Sequence, residues 1–600
     1  MDSDATPELL TRARAWRDAD PDPVTRADLD ARIQRVEAGD GAAGDAVAGL
    51  RACFEPPLGF GTAGLRGLNG PGPAHMNHRL IQRVTAVLAD LLRAEVPDAA
   101  ERGVVIGYDA RHGSAALAET AARTLAGAGF GVHVFDAVAS TPLVAFAALE
   151  LQTAAGLVLT ASHNPPEYLG YKVYGARGVQ IVPPTDERIA QALAALPAGV
   201  EIPQLSADEA LASERCPYWR VHGDALRTAH RQATATATAA GAASTSLRVA
   251  YSAMHGVAGD AVKAALADQG GIECDEVAEQ AAPDGDFPTL RFPNPEEPGA
   301  LDRLIALAQH VDADIALATD PDGDRLGVAL PDDGGQWQVL MGDQTGVLLG
   351  DYLMARAIDT AGPSPSGRWF VMNTVVSSRL LERIATARGI DAEQTLTGFK
   401  WLWNRALERE AAGDRFLYCY EDSIGFCPTP RVRDKDGIAT AVAVTEMARE
   451  ARAAGATLYA RLQGLYRQYG LSVNRQVNLK LEGGDAHTRM AAGLRELRQA
   501  PPTDIAGLAV HRVHDYRAAE RHAPDGSDPE PIPLPANDLI QFDLAGHCHV
   551  SIRPSGTEPK LKIYLEYLGD PGSADLAAER AEAVERLTRI GKALADRLTD

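Results

Sequence analysis

Residues 155–165 read AGLVLTASHNP. The apolar run is too short for a buried helix and fits a strand covered on both faces, and the polar Thr-Ala-Ser-His-Asn-Pro behind it reads as a turn. The neighbouring sequence repeats the pattern. GVVIGYD (103–109) is another apolar run ending in polar residues, AALAETAARTLAGAG (115–129) is an Ala-rich helix, and GVHVFD (131–136) is a further strand. Strand, helix and strand in this order predict βαβ units around a mixed or parallel sheet. The pattern returns in SLRVAYSAMHG (246–256), ADIALATDPDGDR (313–325) and RWFVMNTVVSS (368–378).

The 600 residues are enough for several domains of roughly 100–200 residues each. The expected architecture is α/β: four α/β domains around a central active-site cleft, with mixed sheets and flanking helices. Residues 1–50 form an N-terminal helical extension, followed by domains at 51–212, 213–330, 331–472 and 473–600. The breaks are a polar, Pro-containing stretch near 197–218, the PDDGGQW turn (331–337) and a change of character after YGLSVNR (469–475). The last domain carries an irregular Pro- and Asp-rich insert at 521–537 and ends in a long amphipathic helix.

Hydrophobic residues make up 46% and charged residues 23%, as in a soluble globular chain. A net charge of −23 repels nucleic-acid backbones, so an anionic ligand has to be drawn into a locally basic pocket. The six cysteines are scattered without a CxxC pair, which fits free thiols in a reducing compartment. No run of about 18 apolar residues marks a membrane span. The acidic start MDSDATPELL is unlike a signal peptide, and a cytoplasmic location is expected.

Five segments carry candidate chemistry, each after a strand or in a glycine-rich loop, and ligands of open α/β sheets bind at the carboxyl ends of strands. Ser162 sits on the first turn; by itself TASHNP is an ordinary Ser/Asn/Pro turn, and no G-x-S-x-G elbow supports a Ser-His-Asp hydrolase. Asp320, Asp322 and Asp324 alternate in DPDGDR after IALAT. Carboxylates so placed can face one hard cation and otherwise repel one another. The segment is not an EF-hand, since Arg325 and Pro331 occupy the positions of its Gly and its last Glu. RPSGTEPK (553–560) offers a guanidinium, two hydroxyls and a glycine-freed backbone, a plausible phosphate cradle. GTAGLRG (61–67) lets a ligand approach the backbone and supplies Arg66, but is not a nucleotide-hydrolase loop. EDSIG (421–425) offers acidic and hydroxyl groups to sugar hydroxyls, and Asp436 in DKDGIATA reads only as a helix cap.

Together, in this order over residues 55–567, the motifs resemble the α-D-phosphohexomutase superfamily of phosphoglucomutases and phosphomannomutases. Most of all they resemble its long phosphoglucomutase-2-like branch, which also shows segments like GFGTAGLRG, FPNPEE and TLTGFKW. The resemblance implies that Ser162 is a phosphoserine and that Asp320, Asp322 and Asp324 hold one Mg²⁺, with a phosphoserine oxygen completing the site. It implies that Arg66, Arg111, His163 and Lys172 surround the transferring phosphoryl, with Arg325 beside the metal. Thr62, Thr397, Gly398, Lys400, Glu421 and Ser423 would bind the substrate, and Arg553, Ser555, Gly556 and Thr557 would clamp its distal phosphate. Two departures stand out: YEDSIGF replaces the G-E-x-S-G-H of shorter phosphomannomutases, and Leu169 replaces the Asn that usually precedes the Gly of LGYKVY.

The expected reaction is interconversion of glucose 1-phosphate and glucose 6-phosphate through glucose 1,6-bisphosphate, which also acts as activator. Mannose or pentose phosphates are the alternative substrates, and His163 or Lys172 is the general base. No obligate protein partner is expected. A haloacid-dehalogenase-type phosphatase would use Asp320 as nucleophile but leave the Ser162 turn without a role, and a silent sugar-phosphate sensor would not need the full set.

Overall fold

The computed structural model describes residues 5–38, 43–60, 64–213, 215–235, 245–361, 367–480, 486–554 and 560–599. The chain divides into two units, Met1–Ala329 with Thr429–Glu446, and Leu330–Pro428 with Met447–Asp600.

In the first unit AGLVL becomes the strand Ala155–Leu159, buried at all five positions. It lies inside a six-stranded sheet ordered Leu65–Leu68, Tyr168–Gly175, Ala155–Leu159, Val104–Tyr108, Val132–Phe135 and Trp219–His222. The last four strands run parallel, and the first two are added antiparallel. Each fully covered Val or Leu here stabilises the fold by roughly 1.5–3 kcal/mol, and a strand buried on both faces needs the unbroken apolar run that the sequence shows. A second sheet places Ile315–Thr319 between Leu326–Pro331, antiparallel, and Leu247–Ser252, parallel, with Ile272–Glu276 beyond.

Two expected boundaries differ from the structure. The first sheet runs past 212, because Trp219–His222 pairs in parallel with Val132–Phe135. The polar stretch near 197–218 is therefore a crossing within one domain and includes a capped helix, Ala207–Ala212. The helices of residues 1–50 are also not a separate extension. Leu9, Trp16, Leu29, Ile33 and Leu50 join the same core as Leu80, Leu125 and Leu157.

The second unit holds two sheets. In one, Trp369–Thr374 is flanked in parallel by Asp391–Thr395 and Arg415–Glu421, and Gly425–Cys427 closes back antiparallel. The other is built from Ser472–Lys480 onward and pairs antiparallel throughout its described strands. Its Pro- and Asp-rich insert contributes two short strands at one end of the sheet, Glu520–His522 and, at the edge, Glu530–Pro531. Among the described residues no helix is long and apolar enough to cross a membrane.

Candidate active site

The strand Ala155–Leu159 delivers Ser162 into a buried turn. Ser162 takes a left-handed backbone (φ +55°) and is 2% exposed. A non-glycine residue held there costs free energy and persists only where its surroundings fix it. Here they do: Thr160 Oγ1 accepts the Ser162 N–H at 2.9 Å and donates to Asp109 Oδ2 at 2.6 Å. Arg111 locks the rest of the turn. Its Nε donates to Asp109, and its two terminal nitrogens donate to the carbonyls of Ser162, Asn164, Pro165 and Tyr168. Arg66 donates to Asn164 Oδ1 at 2.9 Å.

The second sheet brings the aspartate loop to the same place. Asp320, Asp322 and Asp324 are at most 1% exposed, and one oxygen from each lies within 4.8 Å of the others. Gly323 turns the loop at φ +71°, with its N–H donating to the Asp320 carbonyl. Ser162 Oγ lies 2.9 Å from Asp320 Oδ2 and 3.2 Å from His163 Nδ1. Lys172 Nζ reaches Asp322 Oδ2 at 2.7 Å and Asp324 Oδ2 at 3.0 Å. Asp322 Oδ1 and Asp324 Oδ1, by contrast, are buried without a hydrogen-bond partner. An all-oxygen donor set with orphaned buried oxygens fits a hard divalent cation such as Mg²⁺.

The charges set the protonation states. Burial and the neighbouring Asp322 and Asp324 push the Asp320 carboxyl well above its ordinary range. Burial pushes Asp322 the same way, but the Lys172 ammonium outweighs it and holds Asp322 below the usual carboxylate range. Burial lowers Lys172, and Asp322 and Asp324 more than compensate, so it stays a cation. His163 is kept neutral by burial and by the Arg325 and Arg66 guanidiniums. Burial brings Arg66 down to about 10.

In the second unit, the Thr397–Lys400 and Glu421–Gly425 loops both leave the carboxyl ends of the strands flanking Trp369–Thr374. Gly398 (φ +116°) precedes the helix Phe399–Ala411, and the Lys400 ammonium lies 5.9 Å from the Trp401 ring centre. Glu421 is buried, and the Asp422 N–H is held by Ser377 Oγ at 3.0 Å. Arg553 donates to Tyr564 OH. Burial lowers its pKa, but Tyr564, Asp422 and Glu421 raise it further, so Arg553 sits in the field of the EDSIG loop. Thr62, Ser555, Gly556 and Thr557 lie outside the described residues.

Family models described as phosphoglucomutase/phosphomannomutase alpha/beta/alpha domains I, II and III match residues 57–198, 230–334 and 341–469 in turn. The chain belongs to this family. Its relatives span several sugars. A human phosphopentomutase is 32% identical over 564 residues, covering 90% of each chain. A Haemophilus influenzae protein named as a probable phosphomannomutase is 34% identical over 520 residues, covering 86% of this chain and 98% of its own. The solved open form of a Paramecium phosphoglucomutase, an exocytosis-sensitive phosphoprotein, shares the fold with a TM-score of 0.64 at 18% identity, covering 90% and 95%.

For this phosphoglucomutase/phosphomannomutase family member, the geometry redirects one expectation and adds residues. Arg111 holds the Ser162 turn, since all five of its N–H groups are spent on Asp109 and the carbonyls of Ser162, Asn164, Pro165 and Tyr168. Arg325 meets the aspartate loop mainly through its backbone, donating to Asp320 Oδ1 at 3.0 Å, while Glu296 of FPNPEE takes its guanidinium at 3.4 Å. Thr141, whose Oγ1 donates to Asp322 Oδ2 at 2.7 Å, has no motif of its own. Asp436 caps its helix as expected, accepting from the N–H groups of Ile438 and Ala439, and also meets His230. Its neighbours do more: Lys435 Nζ reaches Asp324 Oδ2 at 3.3 Å. The DKDG turn at 434–437 is the sequence signal for this contact, and taken alone it reads as a helix cap.

Proposed function

We propose that the chain is a phosphosugar mutase interconverting glucose 1-phosphate and glucose 6-phosphate, with Ser162 carrying the phosphoryl group. One observation carries the reading: a buried serine hydroxyl on a turn fixed by Asp109, Thr160 and Arg111 lies 2.9 Å from one of three clustered aspartates. A hydrolase that used Asp320 as nucleophile would have no need of that serine.

Asp320, Asp322 and Asp324 would hold one Mg²⁺, which when bound neutralises charge on the phosphoryl oxygens. Lys172 and Arg66 supply fixed positive charge, and Arg111 holds the turn in register. In the first transfer the P–O bond to Ser162 Oγ breaks as the bond to a sugar oxygen forms, and the sugar hydroxyl proton has to end on Ser162 Oγ. In the second the other sugar P–O bond breaks as the bond to Ser162 Oγ forms, and the Ser162 proton passes to the leaving sugar oxygen. His163, neutral and 3.2 Å from Ser162 Oγ, is the group able to pass this proton, whereas Lys172 is held as a cation by two carboxylates. The bisphosphate then turns over, and the second phosphate returns to Ser162. Glu421, Ser423, Thr397, Gly398 and Lys400 would read the sugar. Arg553 would hold the phosphate that is not reacting, with Ser555, Gly556 and Thr557 as its expected companions and Thr62 at the first loop.

A second reading, a phosphopentomutase acting on ribose phosphates, is favoured by the similarity to the human phosphopentomutase. The chain is given glucose 1-phosphate or ribose 1-phosphate with Mg²⁺ and a trace of glucose 1,6-bisphosphate as activator. Faster formation of glucose 6-phosphate supports the first reading, and faster formation of ribose 5-phosphate supports the second. Release of inorganic phosphate without isomerisation rejects both. The six unpaired thiols support a reducing, cytoplasmic location.

A further inference from the structure

Asp436, directly after Lys435, caps the helix that follows, whereas Asp434, directly before it, faces a different set of partners. Asp434 is 1% exposed and lies at the centre of a small network. Its Oδ2 accepts from Tyr174 OH and, at 2.7 Å, from Gln180 Nε2, and its Oδ1 lies 3.2 Å from Lys435 Nζ. Tyr174 is on the strand that also carries Lys172. The turn itself is pinned to the aspartate loop, because the Gly437 N–H donates to the Gly323 carbonyl at 3.2 Å. A Cβ at Gly437 would come within 2.5 Å of the Arg325 carbonyl, so only glycine allows so close an approach.

The consequence lies in which carboxylate oxygens are used. Lys172 takes Asp322 Oδ2 and Asp324 Oδ2, and Lys435 takes Asp324 Oδ2 again. The two ammoniums thus crowd the Oδ2 atoms and leave Oδ1 of Asp322 and Asp324 without hydrogen bonds, with Arg325 Nε 3.9 Å from Asp324 Oδ1. Lys435 also binds its own carboxylate, Asp434. Asp434 thus sets a further carboxylate beside the Lys435 ammonium, next to the cluster of Asp320, Asp322 and Asp324, while Arg325 brings Glu296 as its own counter-ion.

We propose that Asp434 is a positioning residue for the metal: by sharing the Lys435 ammonium and anchoring to Tyr174 and Gln180, it keeps Lys435 from neutralising Asp324 and so leaves Asp324 Oδ1 to the cation. This rests on the metal role of the three aspartates argued above. Without the Asp434 charge, Lys435 collapses onto Asp324 and competes with the cation.

The test reads metal binding directly, by electron paramagnetic resonance of free Mn²⁺ titrated with the whole purified chain, with thermal melting alongside. Asp322→Asn comes first: it abolishes Mn²⁺ binding if the triad is the site, and unchanged binding in that variant rejects the metal assignment itself. With that established, Asp434→Asn raises the Mn²⁺ dissociation constant by about tenfold, since one unit charge a few ångströms away in a buried site is worth at least that factor. The double variant Asp434→Asn with Lys435→Met recovers affinity to within about threefold of the native chain, because the competing ammonium is gone; a merely structural role for Asp434 leaves the double variant as weak as the single one and overturns the proposal. Native Mn²⁺ affinity in Asp434→Asn overturns it as well. If Asp434→Asn does not fold, Tyr174→Phe decides: a two- to fivefold loss of Mn²⁺ affinity supports the proposal, and no loss rejects it.

Discussion

Around Ser162 the reacting groups are buried almost completely, whereas Ser423 and Arg553 of the second region are half-buried. In the first region Ser162, Lys172 and the three aspartates are at most 2% exposed, and the turn is fixed by the side chains of Asp109, Arg111 and Thr160. In the second, among the described residues, Arg553 donates to Tyr564 OH. Preorganised charge is worth most where charge develops during reaction, while binding groups gain from ordering only when the ligand arrives. The contrast suits a mutase, which keeps one end of the chemistry constant and must accept the sugar phosphate in two orientations at the other.

The contrast can be broken most sharply at the carrier. Ser162→Ala is expected to lower kcat by at least about 10³, with the phosphate lost from the peptide containing residue 162 by mass spectrometry. Phosphate found on Asp320 instead would reverse the roles of the two loops.

Next comes the distal region. Arg553→Ala is expected to reduce kcat/KM by roughly 10²–10³ through both KM and kcat, while the Ser162 phosphate survives. Arg553→Lys recovers part of this, since an ammonium lacks the two-pronged contact. Steady-state kinetics with an unchanged kcat/KM for Arg553→Ala would remove the second region from substrate binding.

Arg111 separates holding a turn from holding a ligand. Arg111→Lys keeps the charge but leaves several of the four carbonyls without a donor, so kcat is expected to fall by about 10–10² with KM within threefold of native. A large rise in KM with native kcat would mean that Arg111 touches phosphate after all.

The smallest effect is on stability and concerns the far edge of the first sheet, away from the catalytic loops. His133 stacks on His222 and bonds to it and to Tyr218, and burial pushes its pKa down to about 4. The folded state therefore binds this proton more weakly than the unfolded chain, whose histidine titrates near 6.5. The stabilisation is complete above pH 6.5 and is lost as pH falls through 4, on the order of 3 kcal/mol in all. Melting followed by calorimetry over that window is expected to show the decline, and His133→Gln to flatten it. An equal slope in the variant would assign the acid sensitivity to the carboxylates of the active site.

Several features were legible in the chain alone because they depend on neighbours in sequence. A short apolar run such as AGLVL or IALAT, bounded by turn residues, fits a strand buried on both faces, and the polar residues behind it fit a loop at the strand's carboxyl end. The order of the five motifs was enough to indicate the family, and alternating aspartates around Gly323 were enough to suggest a cation. Other features depended on residues far apart in sequence. Arg111 is an ordinary candidate for phosphate until four carbonyls from residues 162–168 are found around it. Lys435 and Asp434 lie more than a hundred residues beyond the aspartates they serve, in a turn that read only as a helix start. The sequence determined which groups could carry the chemistry, because composition and periodicity are local. The tertiary structure decided which oxygens and nitrogens meet, because hydrogen bonds and buried charges are settled by distance in space.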